Sequence, residues 1–168
     1  MKKLIVIAVF ALVTFSVKAQ DEGSNTGFKF GAGVMVGLPA SNLDGAGVIF
    51  GADLIGHYGF SETLAATLDA GYQNISAKNG GTGLNLIPIR VGLRYYPSMK
   101  FYIAAKGGIG LLSASGGGSG NSVTTTAYSA GVGYMLNEKT DLSVSYDGYS
   151  KDGSFSIVGL RLGYFFGN

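Results

Sequence analysis

The chain holds one histidine, His57, with ten acidic residues, twelve basic residues and no cysteine. Acid–base chemistry is therefore the first reaction class to test. The missing cysteine removes thiolate nucleophiles, disulfides and cysteine-bound zinc or iron–sulfur sites together. Asp53 lies four residues before His57 on the same face of an alternating segment. Four residues of strand span about 13 Å, far beyond the ~2.6–3.2 Å at which a general base holds its partner. No G-x-S-x-G pattern surrounds a serine, and there is no second histidine for a surface-side Ser/His pair. Gly31/Gly33, Gly108/Gly110 and Gly131/Gly133 fall inside alternating segments. Glycine there makes room for large opposing side chains and permits bending. Ser115 to Asn121 (SGGGSGN) lacks the Lys-Ser/Thr and following helix of a phosphate loop and reads as a mobile outer loop. Asn74-Ile75-Ser76 matches a glycosylation sequon, a pattern short enough to arise by chance. Calcium-loop, paired-histidine and haem motifs are missing. These residues predict a protein that is not an enzyme and takes neither cofactor nor metal.

The elements that position these groups are strands. From Gln20 onward no apolar run reaches the roughly 20 residues of a membrane helix. Eight segments instead alternate with period two, separated by clusters of Gly, Ser, Asn, Asp and Lys. They are Phe28 to Leu38, Val48 to Tyr58, Leu64 to Tyr72, Asn85 to Tyr95, Phe101 to Leu111, Ala127 to Leu136, Asp141 to Asp147 and Ile157 to Phe166. One face of each is apolar, as in Val34, Val36 and Leu38 or Ile87, Ile89 and Val91. The other is mostly Gly, Ala, Ser and Thr with isolated charges. A soluble barrel would put the apolar face inside, and a transmembrane barrel would put it outside.

Two features decide for the membrane. The polar face is far too poor in Lys and Glu to serve as a water-facing surface, and only 13% of the chain is charged against about 25% in a soluble domain. The apolar face also ends in aromatics beside the turns, at Tyr58, Tyr95, Tyr134, Tyr164 and Phe166, where amphipathic rings settle at headgroup level. Connection lengths agree. Gly59 to Thr63, Pro97 to Lys100 and Asn137 to Thr140 are short, whereas Pro39 to Gly47, Ile75 to Gly83 and Ser113 to Ser122 are longer. Short periplasmic turns alternate with longer outer loops in such barrels; the outer connection Ser150 to Gly153 is the short exception. The fold class is all-β, an eight-stranded antiparallel up-and-down transmembrane β-barrel.

Residues 1–19 read as a cleaved signal peptide, with Lys2 and Lys3 before the apolar run Leu4 to Val13 and the cleavage-site residues Val17-Lys18-Ala19. The barrel domain then covers residues 20–168. Losing Lys2, Lys3 and Lys18 leaves nine basic residues against ten acids, so the formal charge moves from +2 to −1. The basic balance belongs to targeting, and no nucleic-acid partner is expected.

With its leader, its eight strands and stretches such as IPIRVGLRYYPSMKFYIAAKGGIGL (Ile87 to Leu111), the chain resembles small outer-membrane β-barrel proteins. These are barrels of the OmpA-transmembrane-domain and OmpX type, in the outer membrane protein beta-barrel domain group. The resemblance spans the mature chain and implies an outer-membrane location reached through the barrel-insertion machinery. It also implies a C-terminal insertion signal, which Arg161, Gly163 and Phe166 match, while Asn168 stands where a final aromatic would be.

The inward parity lists the barrel's chemistry. Asp53, Asp69, Arg90, Lys106, Asp147 and Arg161 map near the membrane middle, and Lys29, His57, Arg94 and Asp141 nearer the periplasmic end. Three acids oppose three bases at mid-depth, and eight strands leave an interior just wide enough for side chains to fill. The expectation is a plugged polar interior in which each ion offsets its partner's desolvation. The function expected is non-catalytic, a structural or surface-interaction role in the cell envelope. The alternative is a narrow passive pore for ions or small solutes, because ionisable groups at membrane depth often mark pathways. Expected partners are outer-membrane lipid, the insertion machinery and a surface ligand met through the outer loops.

Overall fold

The computed structural model describes residues 25–41, 43, 45–78, 83–114, 122–151 and 153–166. The predicted leader, the Gly/Ser loop at Ser115 to Asn121, and Asn168 lie outside the described residues. Eight strands follow in chain order: β1 (Gly27–Ser41), β2 (Ala46–Gly59), β3 (Leu64–Ala77), β4 (Leu84–Tyr95), β5 (Phe101–Ala114), β6 (Val123–Met135), β7 (Thr140–Lys151) and β8 (Gly153–Phe166). Each pairs antiparallel with its neighbours in sequence, and β1 closes on β8 from Phe30↔Phe166 to Ser41↔Ser156. Closure leaves no open edge, so every strand has a hydrogen-bonding neighbour on both sides.

The period-two alternation sets the facing. Val34, Leu54, Leu68, Val91, Ile103, Val132, Val144 and Leu160 are exposed on the outside, the arrangement expected when the solvent is lipid. Tyr58, Tyr95, Tyr134, Tyr164 and Phe166 are also outward and exposed, beside the turns as predicted. At the outward glycine Gly148 a ring covers the backbone. Tyr128 stands opposite Gly148 in the β6–β7 register and packs directly over it, which shields backbone that would otherwise face the acyl chains.

The strands run further at the loop end than the alternation predicts. β3 continues to Ala77, β6 begins at Val123 and β8 begins at Gly153. The β1–β2 connection shrinks to the four residues between Ser41 and Ala46, comparable with the turns at the opposite end. Beyond the bilayer neither face must be apolar, so the alternation fades while backbone pairing still holds the hairpins together. Pro88 sits mid-strand, and the β3–β4 ladder lapses beside it, passing from Ala70↔Ile89 to Gln73↔Leu86 without changing register. A residue without an N–H cannot donate to the ladder, and the barrel absorbs the gap rather than shifting.

At the turn end the chain enters β1 through Gly27, whose φ of +81° is accessible to glycine at no steric cost. This bend lets Asn25 reach under the barrel, where its side-chain amide donates to the carbonyl oxygens of Glu62 (3.3 Å) and Met99 (3.5 Å). Two different turns are thereby tied to the N-terminal entry. Nothing in the local sequence marks Asn25 for that role.

Candidate functional site

The interior is charged in its middle and apolar at both ends. At the loop end Ile49, Ile75, Leu86, Ala127, Tyr149 and Ile157 form one buried cluster, with Phe155 stacked on Tyr149 at 5.0 Å. At the turn end Ile55, Ala65, Tyr96, Tyr102, Met135 and Phe165 form another. The predicted polar interior is thus confined to a layer between two apolar caps. Ile49, Ile55, Ile157, Tyr102 and Phe165 all lie on the inward parity in the sequence; their bulk, placed near strand ends, was the available signal for the caps.

Between the caps the charges resolve into two neutral quartets. In the first, Arg90 bridges two aspartates: its Nε donates to Asp69 Oδ2 at 2.9 Å and its Nη1 to Asp147 Oδ1 at 2.8 Å. Lys106 Nζ completes it at 2.6 Å from Asp69 Oδ1. Asp69 and Arg90 are direct cross-strand partners, so one pair follows from register alone. Asp147 arrives from β7 across the lumen, a contact no strand-by-strand reading supplies.

In the second quartet Arg161 grips Asp53 through Nε (3.0 and 2.8 Å to the two carboxylate oxygens) and Nη2 (2.6 Å). Its Nη1 donates to Asp141 Oδ1 at 3.0 Å. Asp141 also meets Arg94 Nη2 at 3.4 Å and accepts the Tyr102 hydroxyl. Arg94 lies over the Tyr102 ring, 4.2 Å from its centroid, a cation–π contact strengthened by burial. Gly33 makes room for this guanidinium: a methyl group there would stand 2.5 Å from Arg161 Nη2.

The remaining two interior residues do not join either quartet by a short ion pair. His57 packs edge-on against Tyr96 and Phe165 at 6.1 and 5.9 Å, and its Nε2 faces the Asn25 carbonyl at 3.3 Å. Asp53, its neighbour on the strand, is held by Arg161 instead. Lys29 lies at the turn end and feels the charge of Glu138. Tyr96, in the β4–β5 turn, has its phenol pushed up by burial and so stays protonated as a packing ring. Among the described residues no group of three or more His, Asp or Glu is placed to hold a metal.

The space left among the quartets is small. A cavity of about 40 Å³ is bounded by Asp53, Arg90, Arg94, Lys106, Asp147 and Arg161, room for a few waters at most.

The C-terminal triplet expected as an insertion signal is built into the same barrel. Arg161 anchors the second quartet, Gly163 backs directly onto Asp141, and Phe166 lies outside against Tyr164 (5.5 Å) and Phe30 (6.0 Å). Each residue therefore has a packing reason in the finished fold.

A family comparison agrees with the β-barrel fold. The model of the outer membrane protein beta-barrel domain matches residues 7–166. The chain belongs to that family. No curated protein matches the sequence. Among solved structures, the attachment invasion locus protein Ail of Yersinia pestis aligns with a TM-score of 0.61 at 17% identity, covering 84% of this chain and 99% of that one. Neisserial surface protein A aligns at 0.59 and 18% identity, over 83% and 96% of the two chains. The N-terminal barrel domain of Pseudomonas aeruginosa OprF aligns at 0.58 and 15% identity, over 82% and 97%. At these identities the likeness is one of fold. Family and fold together place the protein in the outer membrane.

Proposed function

We propose that this outer-membrane barrel is a non-catalytic envelope protein whose interior is a plug and whose work is structural or done at its surface. The observation that carries this reading is the filled interior: two neutral quartets, each held by three ion pairs, capped by an apolar cluster at each end. A balanced charge set lacks the single-sign ring that selects ions, and apolar caps oppose hydration of any path through it. Eight of the ten interior ionisable side chains are spent on one another, which supports a non-catalytic reading. In this reading residues 1–19 are removed on export, the short-turn end faces the periplasm, the Arg161/Gly163/Phe166 terminus is read by the insertion machinery, and the outer hairpins meet any surface ligand. Planar-bilayer recording of the refolded protein tests the plug. Silent bilayers are expected; steady single-channel steps that change on Arg90→Ala would establish the pore instead.

A further inference from the structure

The loop end carries a cavity that neither quartet reaches. The β6–β7 ladder ends at Thr126↔Ser150, while β5–β6 runs on to Leu112↔Val123 and β7–β8 to Lys151↔Gly153. Above that last shared rung the two hairpins are no longer paired with each other, and a cavity of about 480 Å³ lies between them. Its two walls differ. On the β5–β6 side Leu112 and Val123 form an aliphatic rung. On the β7–β8 side Tyr149 and Phe155 face each other across the ladder and stack, with ring centroids 5.0 Å apart and an interplanar angle of 22°. Tyr149 is fully buried, whereas Phe155 is half-buried and keeps ring surface open to the cavity. Two residues further along each strand, on the same face, Lys151 stands opposite Gly153. A methyl group added at Gly153 would meet nothing within 4 Å, so a bulky group fits beside Phe155.

Those features select an occupant. The barrel's mouth opens to water, yet Leu43, Leu84, Leu112 and Phe155 stay only partly buried on top of the loop-end cap. The connecting residues outside the described set, at 42, 44, 79–82, 115–121 and 152, include no Leu, Ile, Val, Met or aromatic side chain. The chain's own loops therefore offer nothing apolar to lay over the cavity. Its volume falls within the ~300–1,000 Å³ of small-molecule sites. A flat ring placed against the open face of Phe155 extends the Tyr149–Phe155 stack, and aromatic pairs contribute beyond plain area burial. Lys151 is the one charged side chain among the described residues of the lining. It stands one rung, about 7 Å, beyond the aromatic rung, within reach of an anionic group on the ring's edge. We propose that this cavity binds a small aromatic carboxylate, with its ring against Phe155 beside Gly153 and its carboxylate at Lys151. The inference deepens the surface role proposed above. It rests on that reading only for the side from which the ligand arrives, and it does not depend on whether the interior conducts.

The test is calorimetric titration of naphthoate into the refolded chain in phosphatidylcholine nanodiscs, with nanodiscs lacking protein as the blank. Naphthoate should bind saturably at a single site. Naphthylmethylammonium, with the same rings and the opposite charge, should bind roughly tenfold more weakly, the order expected when a partly exposed ion pair becomes a repulsion. Gly153→Leu fills the room beside Phe155 and should abolish binding while the barrel keeps its heat-modifiable gel migration. Lys151→Met should keep the ring site but erase the preference for the anion, and it decides the question if the leucine variant misfolds. Asp152, next in the chain to Lys151, is an acid; Asp152→Asn should tighten naphthoate binding, and weaker binding there would overturn the charge assignment. Lack of saturable binding, binding untouched by both Gly153→Leu and Lys151→Met, or equal binding of the two probes overturns the proposal. A chain that binds naphthoate and also conducts in planar bilayers refutes the plug alone. Silent bilayers without binding overturn this site and leave the plug standing.

Discussion

The two quartets solve the same problem differently. The first is a bridge. Arg90 splits its donors between Asp69 and Asp147, and Lys106 shares Asp69, so one guanidinium connects opposite walls of the barrel. The second is a clamp. Arg161 commits three of its contacts to Asp53, and Asp141 then collects Arg161, Arg94 and the Tyr102 hydroxyl. Side chains of the Asp53–Arg161 pair keep 14% and 12% exposure, whereas Asp69 and Asp147 keep only 3% and 2%; Asp141, which Arg161 also holds, is fully buried but keeps Arg94 as a second cation. A bridging ion whose partners are fully desolvated has no substitute in its surroundings. A clamped pair that is less deeply buried can borrow water. The burial of a charge's partners, more than its own contact number, sets what its loss costs.

That contrast orders the expected effects. Arg90→Ala leaves the deeply buried Asp147 without a cation and Asp69 with Lys106 alone, and should cost ~3–5 kcal/mol, read as a lower midpoint for urea unfolding in phospholipid vesicles. Arg161→Ala should cost measurably less; an equal or greater loss would abolish the distinction between bridge and clamp. Lys106→Met removes one of two cations on Asp69, and Arg90 remains, so a loss of ~1.5–3 kcal/mol is expected. Gly33→Ala presses a methyl group onto the Arg161 guanidinium and should cost ~1–3 kcal/mol through overpacking, with no comparable effect on the Arg90 side. The smallest effect is the coupling between quartets. A double-mutant cycle on Arg90→Ala and Arg161→Ala should be additive within ~0.5 kcal/mol if they are independent, and a larger coupling would show that the space between them transmits charge.

Much of this was legible in one dimension, for identifiable reasons. Period-two alternation with Leu, Val and Ile on one parity and Gly, Ser and isolated ions on the other revealed the strands and their facing, because a strand has only two sides. The girdle positions Tyr95, Tyr134 and Tyr164 were readable because aromatics recur at the apolar ends of strands. The loop-end extensions escaped because Thr124, Thr126 and Ser154 carry no apolar signal where lipid ends. Asn25 escaped because its partners lie two turns away in space, at Glu62 and Met99.

By itself, then, the sequence determined that the chain spans a membrane by strands and which side chains turn inward, since those follow from local chain geometry and composition. Only the tertiary structure decided which charges meet. Strand tilt and closure determine whether Asp147 on β7 reaches Arg90 on β4, and whether Asp53 on β2 receives Arg161 on β8. The same closure turned inward bulk near the strand ends into two caps and set an aromatic and an aliphatic hairpin around one cavity. Ion pairing across a lumen depends on the height and azimuth of each residue in the closed ring, and neither coordinate exists until the ring has formed.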